Sequence, residues 1–386
     1  MKVLFISTSS TSDDRRSWSG TVYQSFQGLV KAGLKVDYLS VMRDYKETFM
    51  DKLICTYWLR IPGLFGKLTR MDEAYYTVRV FRQTLKKIDY TPYDIIFVPT
   101  HIAIVNAIPK NVKAKIVHLV DATVDSLFGY YSEFSNLWFH NYWEAHILGK
   151  RAFRRSDLII ASSDWCKQNA IKQYGIDPDK ITVVEFGANI DDADIPEIKR
   201  RYDKNKPLRI YWSGVNWIRK GGDVAFDCCQ ELIERGYEVE FHITGMKDLP
   251  KRICELPWVK NHGFLNKNNP DEYQMLVKIM SQQDIFLFPS RAECSSIALC
   301  EANAFGLPCF VYNTGGTANY VTNDYNGYML PLSAKGQDFA NIIDDYVLHG
   351  VMERLSLNAF SKYKKSLSWM NWSKKTIKAI ENLFIT

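Results

Sequence analysis

Short runs of Val, Ile, Leu and Phe recur along this chain, each followed by a loop and a segment of helical spacing, and that alternation leaves few folds open. The first run is KVLFIS. The loop STSSTSDDRRSWSG follows it, and TVYQSFQGLVKAG then has helical spacing with Gly33 as its stop. KVDYLSV, DIIFVP (94–99), KIVHLV (115–120), DLIIASS (157–163) and ITVVEFG (181–187) continue the pattern. Short β-rich runs with helical material between them predict parallel strands with helical crossovers.

The text then changes. ANIDDADIPEIKRRYDKNKP is charged, poor in large apolar residues and marked by Pro196 and Pro207, which reads as an interdomain linker. A second cycle follows with LRIYWSG (208–214), EVEFHITG (238–245), WVKNHGF (258–264), DIFLFPS (284–290) and PCFVYN (308–313). The architecture repeats without a repeat of sequence. The expected organisation is a first Rossmann-like domain over 1–190, a linker over 191–207, a second Rossmann-like domain over 208–366, and a C-terminal helix over 367–386 crossing back to the first domain. In such an α/β arrangement of two doubly wound halves facing a central cleft, ligands are expected at the carboxyl ends of the strands.

The 386 residues suit two cores of roughly 150–200 residues each. A net charge of +6 falls short of a dedicated nucleic-acid binder and suits a protein that handles phosphorylated substrates or anionic surfaces. The eight cysteines include no CxxC pair, so reduced thiols and no zinc site are expected. The opening MKVLFISTSS is too brief for a signal-peptide core, and no 18-residue apolar stretch occurs. A cytoplasmic location is expected, with peripheral contact at the inner membrane face left open by the 14% aromatic content.

Residues 289–321, PSRAECSSIALCEANAFGLPCFVYNTGGTANYV, place Glu293 and Glu301 with seven residues between them. Such a pair has ordinary readings: a solvated helix face, a metal site, or the acid pair of a glycoside hydrolase. Ser295 and Ser296 can cap a helix that starts at Ile297 and that Gly306 and Pro308 close, with Glu293 just before it and Glu301 within it. A helix N-terminus offers unpaired N–H groups to a phosphate, and carboxylates accept from hydroxyls. A nucleotide sugar has both features.

The stretch PSRAECSSIALCEANAFGLPCFVYNTGGTANYVTNDYNGYMLP resembles the signature region of the retaining GT-B glycosyltransferases of family 4, the group 1 glycosyl transferases. WSGVNWIRKGGDVAF resembles that family's strand, loop and Lys-Gly motif, and the order of elements agrees over essentially the whole chain. The resemblance implies transfer of a hexosyl or related group from a nucleoside diphosphate sugar to a glycan, lipid-linked or small-molecule acceptor. It implies retention at the anomeric carbon, no metal, no cofactor beyond the donor substrate, and no nucleic acid partner.

On this resemblance Glu301 is the ribose-diol acid, Glu293 the acid at the donor sugar and Lys220 the cation on the diphosphate. Ser295, Ser296 and Ile297 at the helix start, and Gly316 and Thr317 after the next strand, are candidate donor contacts; for the last two a plain strand-to-helix turn is an equal reading. The family commonly has an arginine where this chain has Val215, and Arg219 beside Lys220 is the candidate replacement. Gly20 is the expected close approach in the first domain. Asp121 and His101 are the expected acceptor-side residues, while His118, in mid-strand, fits a buried structural role as well as a catalytic one.

Three further features are open. Asp192-Ala193-Asp194 would hold a metal in another glycosyltransferase fold, but here it lies in the charged linker and reads as a solvated turn. The span from Lys52 to Ile88 mixes basic residues with Trp58, Leu64 and Phe65, and fits either an anionic membrane surface or a helix pair packed on the first domain. A degenerate, non-catalytic binder of nucleotide sugar or glycan, suggested by Val215, and a phosphorylase or epimerase on the same fold are the competing functions.

Overall fold

The computed structural model describes residues 1–15, 17–42, 47–197 and 206–385. Each apolar run of the first half becomes a strand: β1 (Lys2–Ser7), β2 (Lys35–Ser40), β3 (Ile95–Pro99), β4 (Lys115–Val120), β5 (Leu158–Ala161) and β6 (Ile181–Val183). They form one parallel sheet in the order β2-β1-β3-β4-β5-β6. The reversal of order between β1 and β3 is the doubly wound pattern, with helices as crossovers. β3 is buried at every residue, and Phe5 stacks on Phe97 across the pair at 5.3 Å between ring centroids.

The second half repeats this with β7 (Leu208–Ser213), β8 (Val239–Thr244), β9 (Val259–Asn261), β10 (Ile285–Phe288), β11 (Cys309–Tyr312) and β12 (Gly327–Leu330), in the order β12-β11-β10-β7-β8-β9. Trp212, Phe241, Phe286 and Phe288 are fully buried in its core. β12 has no apolar run of its own in the sequence, because it is a half-exposed edge strand that begins on a glycine. Gly327 sits at φ +153°, where a Cβ would come within 1.9 Å of the Cys309 carbonyl oxygen, so the strand can pair with β11 only with glycine at that point.

The chain divides into two compact units, Met1–Val184 with the residues from Ser373 on, and Glu185–Trp372. The start of the second unit is tied to it by side chains. Trp369 Nε1 donates to Asn189 Oδ1 at 2.8 Å, the Tyr363 hydroxyl to Asp192 at 2.5 Å, and the Tyr273 hydroxyl to Asp194 at 2.9 Å. The Asp192-Ala193-Asp194 string is therefore a short turn whose two carboxylates accept from tyrosines. Residues 198–205 of the expected linker lie outside the described residues. The closing helix, Trp369–Asn382, begins in the second unit, and its residues from Ser373 on belong to the first. Among the described residues no helix is long and apolar enough to cross a membrane. All eight cysteines are free thiols.

Candidate functional site

In the second sheet β7 and β10 are neighbours, so the loops leaving their carboxyl ends meet. The loop after β7 closes at Gly221, which has φ +69° and precedes the helix Gly222–Glu234. A Cβ there would lie 1.9 Å from the Pro289 carbonyl oxygen, so only glycine lets the two loops approach this closely. Two further links fix their register. The Arg291 N–H donates to the Arg219 carbonyl at 2.8 Å, and the Arg291 guanidinium grips both oxygens of Asp223 at 2.8 and 2.7 Å.

This junction brings Lys220 to Glu293. The Lys220 ammonium donates to Glu293 Oε1, which also accepts from the Ser290 hydroxyl at 2.8 Å and has Arg219 Nη1 at 3.8 Å. Glu293 is buried, and Lys220 Nζ lies 5.0 Å from the centre of the Phe288 ring. Burial pushes the Lys220 pKa below the usual lysine value; the Glu293 carboxylate opposes that shift, and the Arg219 charge adds to it. Arg219 also donates to the Ala292 carbonyl at 3.2 Å. Both cations expected at the diphosphate thus stand at Glu293, whereas Val215 is exposed.

After Glu293 the chain enters the helix Ile297–Ala304. Ser296 caps it, its hydroxyl accepting from the Leu299 N–H at 3.4 Å. Gly306, at φ +63°, ends it, with the Leu307 N–H returning to the Ala302 carbonyl at 2.8 Å. Ser295 hydrogen-bonds to the buried Tyr320 phenol. Glu301 lies in the second turn, buried, and accepts from the Lys267 ammonium. Lys267 has no signal in the sequence: it sits in a polar loop ahead of the helix Pro270–Ser281, and only the fold brings it to Glu301. Gly316 donates its N–H to the Glu293 carbonyl at 3.0 Å. The Thr317 hydroxyl is engaged in the turn, donating toward the Tyr312 and Thr314 carbonyls and accepting from the Thr314 N–H.

In the first unit, the carboxyl ends of the adjacent strands β1, β3 and β4 carry the other expected residues. His101 follows Thr100, which is held at φ +59°, and its Nε2 lies 3.1 Å from the Thr8 hydroxyl. Burial holds the His101 pKa below the usual imidazole value. Asp121, one residue past β4, accepts from Trp18 Nε1 at 3.3 Å. Trp18, Ser19 and Gly20 have φ of +48°, +56° and +89°, three left-handed residues in succession ahead of the helix Thr21–Lys31. For the two that carry side chains this conformation costs about 1–2 kcal/mol each.

His118 is the structural histidine of the two readings. It is fully buried, Nε2 faces the Thr100 carbonyl at 3.3 Å, its ring packs edge-on to Phe153, and burial lowers its pKa to about 4. Asp125, given no role by sequence, accepts from the Tyr174 hydroxyl at 2.5 Å and bonds His146 Nδ1 at 2.6 Å. Among the described residues, no group of three or more His, Cys, Asp or Glu side chains is arranged to hold a metal ion.

Two family models match the chain: Glycosyltransferase Family 4 over residues 21–192 and Glycosyl transferases group 1 over residues 194–366. The chain is 25% identical over 246 residues to an Escherichia coli UDP-Gal:α-D-GlcNAc-diphosphoundecaprenol α-1,3-galactosyltransferase, a match that spans 57% of this chain and 57% of that one. It therefore spans little more than half the length of that relative. In fold it resembles the lipopolysaccharide outer core galactosyltransferase WaaB, with TM-score 0.65, 17% identity and 99% of each chain covered. It also resembles the Anabaena protein HepE solved in complex with UDP, with TM-score 0.63, 17% identity, and 99% of this chain and 100% of that one covered.

Proposed function

The chain belongs to the GT-B glycosyltransferases of group 1, and from that premise we propose that it moves a sugar from a nucleoside diphosphate sugar to a glycan or lipid-linked acceptor, with retention and without a metal. The observation that carries this reading is the meeting of Lys220 and Arg219 at Glu293, beside a capped helix whose second turn holds Glu301.

The chemistry follows from what these groups have left to offer. A lysine ammonium has three N–H donors; Glu293 takes one from Lys220, and two remain for the oxygens of a diphosphate. Arg219 adds a second positive charge, and the N-terminus of the helix Ile297–Ala304 adds oriented N–H groups. Together they stabilise the charge that develops on the leaving group, a role worth about 3–4 kcal/mol of barrier for one donor. Glu301, with one oxygen bonded to Lys267, offers the other to the ribose hydroxyls. Glu293 orients the donor sugar.

In the transfer, the bond from the anomeric carbon to the diphosphate oxygen breaks and the acceptor hydroxyl bonds to that carbon from the same face. The hydroxyl proton passes to the departing diphosphate oxygen. His101 and Asp121, at the strand ends of the first unit, position the acceptor. A uridine nucleotide is the first donor to test, because UDP stands in the names of the E. coli relative and of the HepE complex.

Calorimetric titration with uridine, guanosine and adenosine diphosphate sugars, followed by proton NMR of the first-formed product, tests the reading. Binding with turnover and a retained anomer supports it. An inverted product rejects the mechanism, and binding of a donor without turnover on any acceptor assigns the chain to the non-catalytic binders. Activity abolished by chelator and restored by magnesium or manganese rejects metal independence.

A further inference from the structure

The helix Phe49–Leu64 carries Met50, Leu53, Tyr57, Ile61 and Leu64 at successive spacings of three and four residues, which puts them on one face. In a globular domain such a stripe ordinarily turns to the core. Here all five are exposed, and the buried residues Asp51, Trp58 and Pro62 share a different side of the helix, about 120° round the axis.

The apolar surface continues past the helix end. Leu64 is 83% exposed and Phe65 67% exposed, and the Phe65 ring lies 5.6 Å from that of Trp138. Reciprocal backbone bonds, Leu68 N–H to the Asn136 carbonyl at 3.0 Å and Trp138 N–H to the Leu68 carbonyl at 2.8 Å, lock this segment to the start of the helix Phe139–Arg155. There Phe139 and Trp143 are 62% and 60% exposed. A contiguous apolar surface of this kind marks an interaction site.

The exposed charges carried by the helix itself are cationic, and the one exposed carboxylate beside them, Glu47 ahead of the helix, lies 4.0 Å from Lys52. The helix has a single carboxylate, Asp51, which is buried as the capping partner of Thr48. Lys52 and Arg60 are its exposed charges, and Lys67 follows just beyond it. A second copy of the chain seated on this face would oppose cation to cation, since a two-fold contact presents the same patch twice. An anionic bilayer supplies both an apolar interior for the stripe and phosphates for the cations, with Tyr57 and Trp143 suited to headgroup depth. We propose that this face of the first unit docks on the surface of an anionic lipid membrane. The inference rests on exposure and charge and not on the transferase reading.

The test is flotation of the full chain with vesicles of phosphatidylcholine, with and without phosphatidylglycerol and free of any sugar acceptor. The expected result is co-flotation with the anionic vesicles at low salt, weaker with neutral ones. Leu64→Glu with Phe65→Glu lowers the partition by about a hundredfold, because two large side chains no longer leave water. Lys52→Gln with Arg60→Gln lowers it by about tenfold or somewhat more at low salt and little at high salt. Phe139→Ser with Trp143→Ser, on a different element, gives an independent loss. All of these side chains are exposed, so the melting temperature stays unchanged. Absence of co-flotation, or equal flotation of wild type and the Leu64/Phe65 variant, overturns the proposal. So does a wild-type dimer by light scattering that this variant renders monomeric while vesicle binding is absent.

Discussion

The strand ends of the two units solve different problems. In the second unit, charge is gathered and buried: Lys220 and Arg219 stand at Glu293, and Lys267 at Glu301, with both carboxylates nearly out of water. In the first unit the corresponding groups are joined by uncharged donors, the Thr8 hydroxyl lying at His101 and the Trp18 indole N–H at Asp121, and the backbone bears the strain at Trp18, Ser19 and Thr100. On the proposed function, the first of these ends meets a highly charged ligand and the other holds a shape. The difference teaches that repetition of the α/β pattern does not extend to the chemistry at its edges.

The sharpest way to break the comparison is at Lys220. Lys220→Ala removes a cation proposed to act on the leaving group and strands Glu293 with a weaker partner. Turnover is expected to fall by about a hundredfold to a thousandfold, and stability by about 3–5 kcal/mol, the usual cost of removing one partner of a buried pair. Replacing both by methionine should restore much of the stability and none of the activity. Steady-state kinetics and urea unfolding separate the two effects. Near-normal turnover in Lys220→Ala would place the leaving-group charge elsewhere.

The second largest effect belongs to the first unit and is a matter of pH. His118 has a folded pKa of about 4, below the ordinary imidazole value because its burial disfavours the charged form. Since Nε2–H faces the Thr100 carbonyl, a second proton would go to Nδ1, a buried atom with no hydrogen-bond partner. Above about pH 6.5 neither state is protonated and the residue adds no pH dependence. Between pH 6.5 and 4 the unfolded chain binds a proton that the folded one does not, so stability falls as pH falls, by about 3 kcal/mol in total. Below pH 4 both states are protonated and the loss levels off. Urea midpoints at pH 7 and pH 4.5 for wild type and His118→Gln check this. The variant should lose less over the interval; equal losses would mean that the acid response arises at other groups.

Much of this fold is written in local text. Every short β-rich run became a strand, largely buried in the middle of each sheet and partly exposed at the edges in β2, β6 and β9, and the cap at Ser296 and stop at Gly306 appear as such in SSIALCEANAFG. What was not legible depends on strand order. Lys220 and Glu293 are 73 residues apart, and they meet only because β7 lies beside β10. Lys267 and Trp18 reach their acids in the same way. The helix Phe49–Leu64 shows the complementary limit: its spacing announces an apolar face but does not say whether core or solvent receives it, and here solvent does.

A smaller effect is expected where backbone conformation rather than charge is the asset. Gly20 sits at φ +89°, in the left-handed region. Gly20→Ala should lower stability by about 1–2 kcal/mol, through strain imposed on an L side chain, and should reduce donor turnover more than it reduces stability if the backbone closely approaches the ligand. Melting curves and kinetics of the same preparation decide between the two. A loss of stability with unchanged kinetics would leave Gly20 as a turn residue alone.

The smallest expected effect tests whether the strained segment serves Asp121. Trp18→Phe keeps an aromatic ring of similar placement and removes only the indole N–H, which donates to Asp121 Oδ2 at 3.3 Å. A hydrogen bond to a carboxylate that is partly open to water is worth about 1 kcal/mol, so folding stability should change little. If Trp18 positions Asp121 for the acceptor, the apparent KM for acceptor should rise by roughly fivefold, the equivalent of that energy, while the KM for donor stays constant. Asp121→Asn in the same assay should raise the acceptor KM further, and the double variant should add little to Asp121→Asn, since Trp18 acts through that residue. Additive effects would separate the two side chains and leave the left-handed run at Trp18 and Ser19 as a feature of the loop rather than of the acceptor site.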